Sequence, residues 1–138
     1  MKSNRKSASL KLTMNCIGTL EGHRDYVMSI AFNGDGMLAS GSWDKTIKLW
    51  DISTMTYIVT LEGHTSAVNS VAFNTDGLLA SGSRDMTIKL WDISNMNCVG
   101  TLKGHTDTVY SVAFNTDGKI LASGSNDSTI KLWDISTM

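Results

Sequence analysis

"ASGSWDKTIKLWDIS" (residues 39–53) returns as "ASGSRDMTIKLWDIS" (80–94) and again as "ASGSNDSTIKLWDIS" (122–136). Ahead of each copy stands a Gly-His pair, at Gly22-His23, Gly63-His64 and Gly104-His105, and each copy closes on Trp-Asp, at Trp50-Asp51, Trp91-Asp92 and Trp133-Asp134. The histidines at 23, 64 and 105 are 41 residues apart each time, and the last copy carries one extra residue, "DGKILAS" in place of "DGMLAS" and "DGLLAS". A period of this length marks units that cannot bury their apolar faces alone and fold by stacking on their neighbours.

Within a period the pattern is strand, turn, strand. "VMSIAF" (residues 27–32) carries apolar groups on both faces, which predicts a strand buried from two sides. "NGDG" supplies a turn, and the small apolar "MLASGS" (37–42) predicts a second strand. After the turn at "WDK", "TIKLWD" (46–51) sets Ile47 and Leu49 on one face and Lys48 and Trp50 on the other. "YIVTL" (57–61) gives a fourth strand, and the equivalent "CIGTL" (16–20) predicts an outer strand at the start of the chain. No stretch has a helical period. Proline is absent, so Gly, Asn and Asp make the turns.

Four short antiparallel strands per period, bracketed by Gly-His and Trp-Asp, resemble the WD-repeat β-propeller family over residues 16–138. The resemblance implies an all-β fold of three four-stranded antiparallel blades, at about 16–56, 57–97 and 98–138, forming a partial propeller or half of a six-bladed ring. Residues 1–15 read as a basic extension or the remnant of a preceding blade, since "SLKL" (9–12) followed by "TMNC" resembles "TIKL" and "NMNC" without the residues between. One departure from the family is systematic: "FNGDG" or "FNTDG" stands where the family usually places Pro before Asp-Gly.

Each copy also carries His, Ser, Asp and Trp at fixed offsets: His23, Ser40, Asp44 and Trp50; His64, Ser81, Asp85 and Trp91; His105, Ser123, Asp127 and Trp133. Ser, His and Asp together raise the question of nucleophilic catalysis. Chemistry needs one such site, whereas a set repeated at the period reads as structural. The resemblance implies that each quartet is a hydrogen-bonded tetrad tying the incoming loop to two strands of its blade. No catalytic, cofactor-binding or metal-binding residue is expected, because no histidine has a second ligand within metal-site spacing and no glycine run precedes a helix.

Where the copies differ, residues are free to recognise something. The differences gather in the loop after Gly-His (Arg24, Tyr26), at the second residue of the first strand (Met28, Asn69, Tyr110), and beside the tetrad Asp (Trp43, Arg84, Asn126). Several are of the types enriched at interface hot spots. The resemblance places these loops on the end of the propeller where partners dock, and implies a non-enzymatic scaffold for a protein or peptide. Two other readings stand beside it: a small-molecule or glycan binder that uses Met28, Asn69 and Tyr110 in the channel, and a propeller fragment without a function of its own.

Composition bounds the rest. With 138 residues, 41% hydrophobic and 18% charged, the chain has the makeup of one folded domain, and a net charge of −1 draws neither nucleic acid nor an acidic membrane. Cys16 and Cys98 are too few for a disulfide framework and read as reduced thiols. The opening residues lack a secretory apolar core, so the expected location is the cytoplasm, with the nucleus also open to it. Rings of this kind have about four to eight blades. Three blades are therefore completed either by a head-to-tail second copy, giving a six-bladed homodimer, or by the rest of a longer ring.

Overall fold

The computed structural model describes residues 11–137, and the chain is all-β over that range. Three antiparallel sheets follow one another. The first holds β1 (Val27–Phe32), β2 (Met37–Ser42), β3 (Ile47–Asp51) and β4 (Thr56–Leu61), in that order. The second holds β5 (Val68–Phe73), β6 (Leu78–Ser83), β7 (Ile88–Asp92) and β8 (Asn97–Leu102). The third has three strands, β9 (Val109–Phe114), β10 (Ile120–Ser125) and β11 (Ile130–Asp134). The sheets do not close into a ring. Of the extension expected at 1–15, residues 1–10 lie outside the described residues.

Turn chemistry explains the hairpins. After β1, Asn33 Oδ1 accepts the amides of Asp35 and Met37, both at 2.9 Å, and Gly36 takes a φ of 80°. Asn74 and Gly77 repeat this, so an Asx turn does without the family's proline. In the third sheet the extra residue widens the loop: Asn115 Oδ1 now accepts the amide of Ile120 at 3.0 Å, and β10 still enters in register.

The cores lie between the sheets. Ile47, Leu49 and Ala39 of the first pack on Val68 and Val71 of the second. Ile88, Leu90 and Ala80 of the second pack on Val109 and Val112 of the third. Each fully buried aliphatic side chain contributes roughly 1.5–3 kcal/mol, so stacking dominates the stability. Gly41 and Gly82 permit the close approach, since a Cβ on either would lie 2.8 Å from Cγ1 of Val68 or Val109.

Two expectations need correction. "VMSIAF" is buried from two sides only where a sheet precedes it. Val68 and Val109 are fully buried, whereas Val27 is 52% and Ile30 59% exposed, because among the described residues no sheet packs on the outer face of β1. "CIGTL" is not a strand: residues 11–23 make no ladder and lie mostly exposed, with Gly18 resting against Met55. A strand exists only through its partner, and among the described residues this segment has none.

Candidate functional site

The turns joining β2 to β3, β6 to β7 and β10 to β11 share one end of the stack with the Gly-His loops. Inside the closing backbone pairs, where the amides of Ser42, Ser83 and Ser125 donate to the carbonyls of Thr46, Thr87 and Thr129, each such turn holds three residues and places a non-glycine in the left-handed region: Lys45, Met86 and Ser128, at φ 78°, 74° and 72°. Backbone bonds clamp turn to loop, with the amides of Trp43, Arg84 and Asn126 donating to the carbonyls of Tyr26, Ala67 and Thr108 at 2.9 Å.

Beneath this end lie the quartets. In the first sheet Asp44 Oδ2 accepts from His23 Nδ1–H at 2.8 Å and from the Arg24 amide at 3.0 Å. A carboxylate only accepts, which assigns the proton to Nδ1 and leaves His23 Nε2 to accept from the Ser40 hydroxyl at 2.7 Å. Ser40 Oγ in turn accepts the Trp50 indole N–H at 2.9 Å. The sets His64, Ser81, Asp85, Trp91 and His105, Ser123, Asp127, Trp133 repeat these bonds with distances of 2.7–2.9 Å. The register explains why the Ser and Trp meet: Ser40 pairs Lys48 and Leu38 pairs Trp50, so both side chains leave one face of the hairpin.

The aspartates are the electrostatic anchor. Burial pushes the Asp44 carboxyl up, but bonds from Thr46, the Arg24 amide and His23 outweigh it and hold Asp44 well below the usual carboxylate range. Burial also opposes the shift at Asp85, where His64, Thr87 and the Thr65 amide prevail. At Asp127 the Thr129 hydroxyl leads, followed in effect by His105 and the Thr106 amide. At the far end of the strands Asp51, Asp92 and Asp134 accept the hydroxyls of Ser53, Ser94 and Ser136, which lowers their carboxyls as well.

Distances alone would suit a catalytic Ser-His-Asp set. Accessibility does not: the Ser40, Ser81 and Ser123 hydroxyls are buried, and each accepts an indole N–H where a substrate would have to approach. Among the described residues no group of three His, Cys, Asp or Glu side chains could hold a metal ion.

Of the residues that vary between copies, the structure joins some and separates others. Tyr26 and Trp43 form a tilted aromatic pair with ring centroids 5.1 Å apart, exposed by 67% and 41%. Arg24 is exposed in the same loop as Tyr26. Arg84 is exposed over the second sheet, and Asn126 reaches Asp107 Oδ2 at 3.3 Å over the third. Met28 and Tyr110 are exposed on β1 and β9, while Asn69 on β5 is half-buried and donates to the Val109 carbonyl at 3.3 Å. No hydrogen bond joins Met28, Asn69 and Tyr110 to one another among the described residues. A cleft of about 640 Å³ opens at the opposite end of the stack, lined by Asn74, Asp92, Lys119 and Ile135, and takes in none of these.

Three structural features are not singled out by the sequence alone. The Tyr26–Trp43 contact needs the loop clamp to be seen. Thr46, Thr87 and Thr129 each donate to the tetrad carboxylate at 2.6 Å, and their recurrence two residues after each Asp was the available signal. Ser29 and Ser70 accept the amides of Val71 and Val112 in the next sheet at 3.1 Å, and they too recur at the period.

The family model described as "WD domain, G-beta repeat" matches residues 14–51, 55–92 and 96–134. Among curated proteins the chain is 57% identical over 42 residues to Vegetative incompatibility protein HET-E-1 of Podospora anserina, a match covering 30% of this chain and 3% of that protein. It is 48% identical over 42 residues to Protein Notchless of Drosophila melanogaster, covering 30% of this chain and 9% of that one. It is 45% identical over 38 residues to Small ribosomal subunit protein RACK1 of Caenorhabditis elegans, covering 27% and 12%. The matched segments are thus a small fraction of each relative's length.

Proposed function

The chain belongs to the WD-repeat family, and from that premise we propose that it is a non-enzymatic scaffold holding a protein or peptide at the loop end of its blades. WD repeats generally mediate protein–protein interaction and are generally non-catalytic, which supports the class. The observation that carries the site is the Tyr26–Trp43 pair. Two aromatic rings in tilted contact and exposed to solvent, in the loop that also carries Arg24, form an anchor whose burial by a partner releases apolar surface from water at low entropic cost. Met28 extends this surface within the first blade, and Arg84, Asn69, Tyr110 and Asn126 extend it over the second and third.

The partner is read as protein or peptide rather than nucleic acid or membrane, in keeping with the net charge of −1. The location is read as cytoplasm or nucleus, where Cys16 and Cys98, both free and exposed, stay reduced. A head-to-tail second copy is a further partner, giving six blades.

Selection of a random-peptide display library on the purified chain tests the site. Peptides that survive selection should lose at least about tenfold in affinity on Trp43→Ala and on Tyr26→Ala, with the urea midpoint unchanged. Equal binding by both variants would overturn the assignment.

A further inference from the structure

The two uncovered ends of the stack carry the two halves of a seam that the molecule already builds twice. At each internal seam a glycine of one sheet forms a socket for the valines of the next: Gly41 receives Val68 and Val71, and Gly82 receives Val109 and Val112. Gly124 is the third such socket, and no described residue lies within 4 Å of where its Cβ would stand. Around it Ile130 and Leu132 are 76% and 71% exposed, although Ile47, Leu49, Ile88 and Leu90 in the same places are fully buried. At the other end of the stack the matching knobs, Val27 and Ile30, are also uncovered, at 52% and 59% exposed.

The outer edge tells the same story. β7 and β11 share the sequence "IKLWD", and β7 pairs with β8, "NCVGTL", through Ile88↔Leu102, Leu90↔Gly100 and Trp91↔Cys98. Among the described residues β11 has no such partner, while residues 15–20 read "NCIGTL", differing from β8 only by Ile17 in place of Val99, and pair with no described strand. A strand and its complement, each already seen paired in one chain, are therefore both left open.

We infer that residues 15–20 and the outer face of β1 in a second copy complete the third blade, with Val27 and Ile30 seated in the Gly124 socket and Leu20, Gly18 and Cys16 opposite Ile130, Leu132 and Trp133. Ser111, exposed on β9, then accepts the Ile30 amide of the second copy, as Ser29 and Ser70 accept the amides of Val71 and Val112. The contact is heterologous, and two copies satisfy both ends by closing on each other. Closure also removes the open strand edge at β11. The assignment rests on the head-to-tail reading above and names the atoms that make it.

Light scattering on the intact chain, on Gly124→Ala and on Leu20→Asp tests it. The chain itself should show twice its 15.0 kDa. Gly124→Ala should fall to a single chain with unchanged circular dichroism, because the added methyl meets open space within one copy and Val27 of the other at the seam. Leu20→Asp should do the same from the opposite side, since its counterpart Leu61 is buried. A monomeric unaltered chain would overturn both the pairing and the socket. A dimer that persists in Gly124→Ala would overturn the socket, and one that persists in Leu20→Asp would overturn the pairing of residues 15–20 with β11.

Discussion

Each tetrad aspartate works as a hub: one Oδ2 takes the histidine and a loop amide, and Oδ1 takes the amide and hydroxyl of the following threonine. Removing any donor or acceptor leaves buried polar groups unpaired, at about 1–3 kcal/mol each. Because Asp44, Asp85 and Asp127 are held below their unfolded value of 3.8, the stability they contribute is complete above that pH and lost as pH falls below it. Urea midpoints should therefore fall steeply on acidification from about pH 4, and Asp85→Asn should flatten part of that slope. A midpoint independent of pH below 4 would contradict the hub role. The quartet itself was legible in the sequence because it recurs three times. The threonine donors recur as faithfully, but a hydroxyl two residues from an Asp has many ordinary uses, so spacing alone did not single them out.

At the scale of strands and turns, the three-residue loops that carry the variable residues are under backbone strain. Met86 at φ 74° occupies a region that costs an ordinary residue about 1 kcal/mol or more. Met86→Gly should raise stability by about 0.5 kcal/mol after the entropic cost of glycine, and Met86→Val should lower it by about 1 kcal/mol, both read from urea titration. The reverse order would mean that the loop relaxes out of the left-handed region. Strands and hairpins were legible because alternation, Asn and Gly mark them locally. The placement of "CIGTL" and the burial of "VMSIAF" were not. Both depend on what lies beside them, and Val27 and Val68 are the same residue in the same motif with opposite exposure.

At the scale of the whole molecule, a repeated skeleton is held constant while its loop end changes from copy to copy. The skeleton, with its glycine sockets and tetrads, follows from the repeat. The grouping of Tyr26 with Trp43 does not, since it arises from a backbone clamp between segments separated in sequence. If shared residues build and differing residues recognise, one blade should accept another's loop without loss of fold. The direct measurement is the affinity of a library-selected peptide for a chain whose first blade carries the second blade's loop residues, Arg24→Thr, Tyr26→Ala and Trp43→Arg, with the urea midpoint as the control. Binding weakened at least about tenfold at an unchanged midpoint is the predicted result; full binding by the exchanged chain would contradict it.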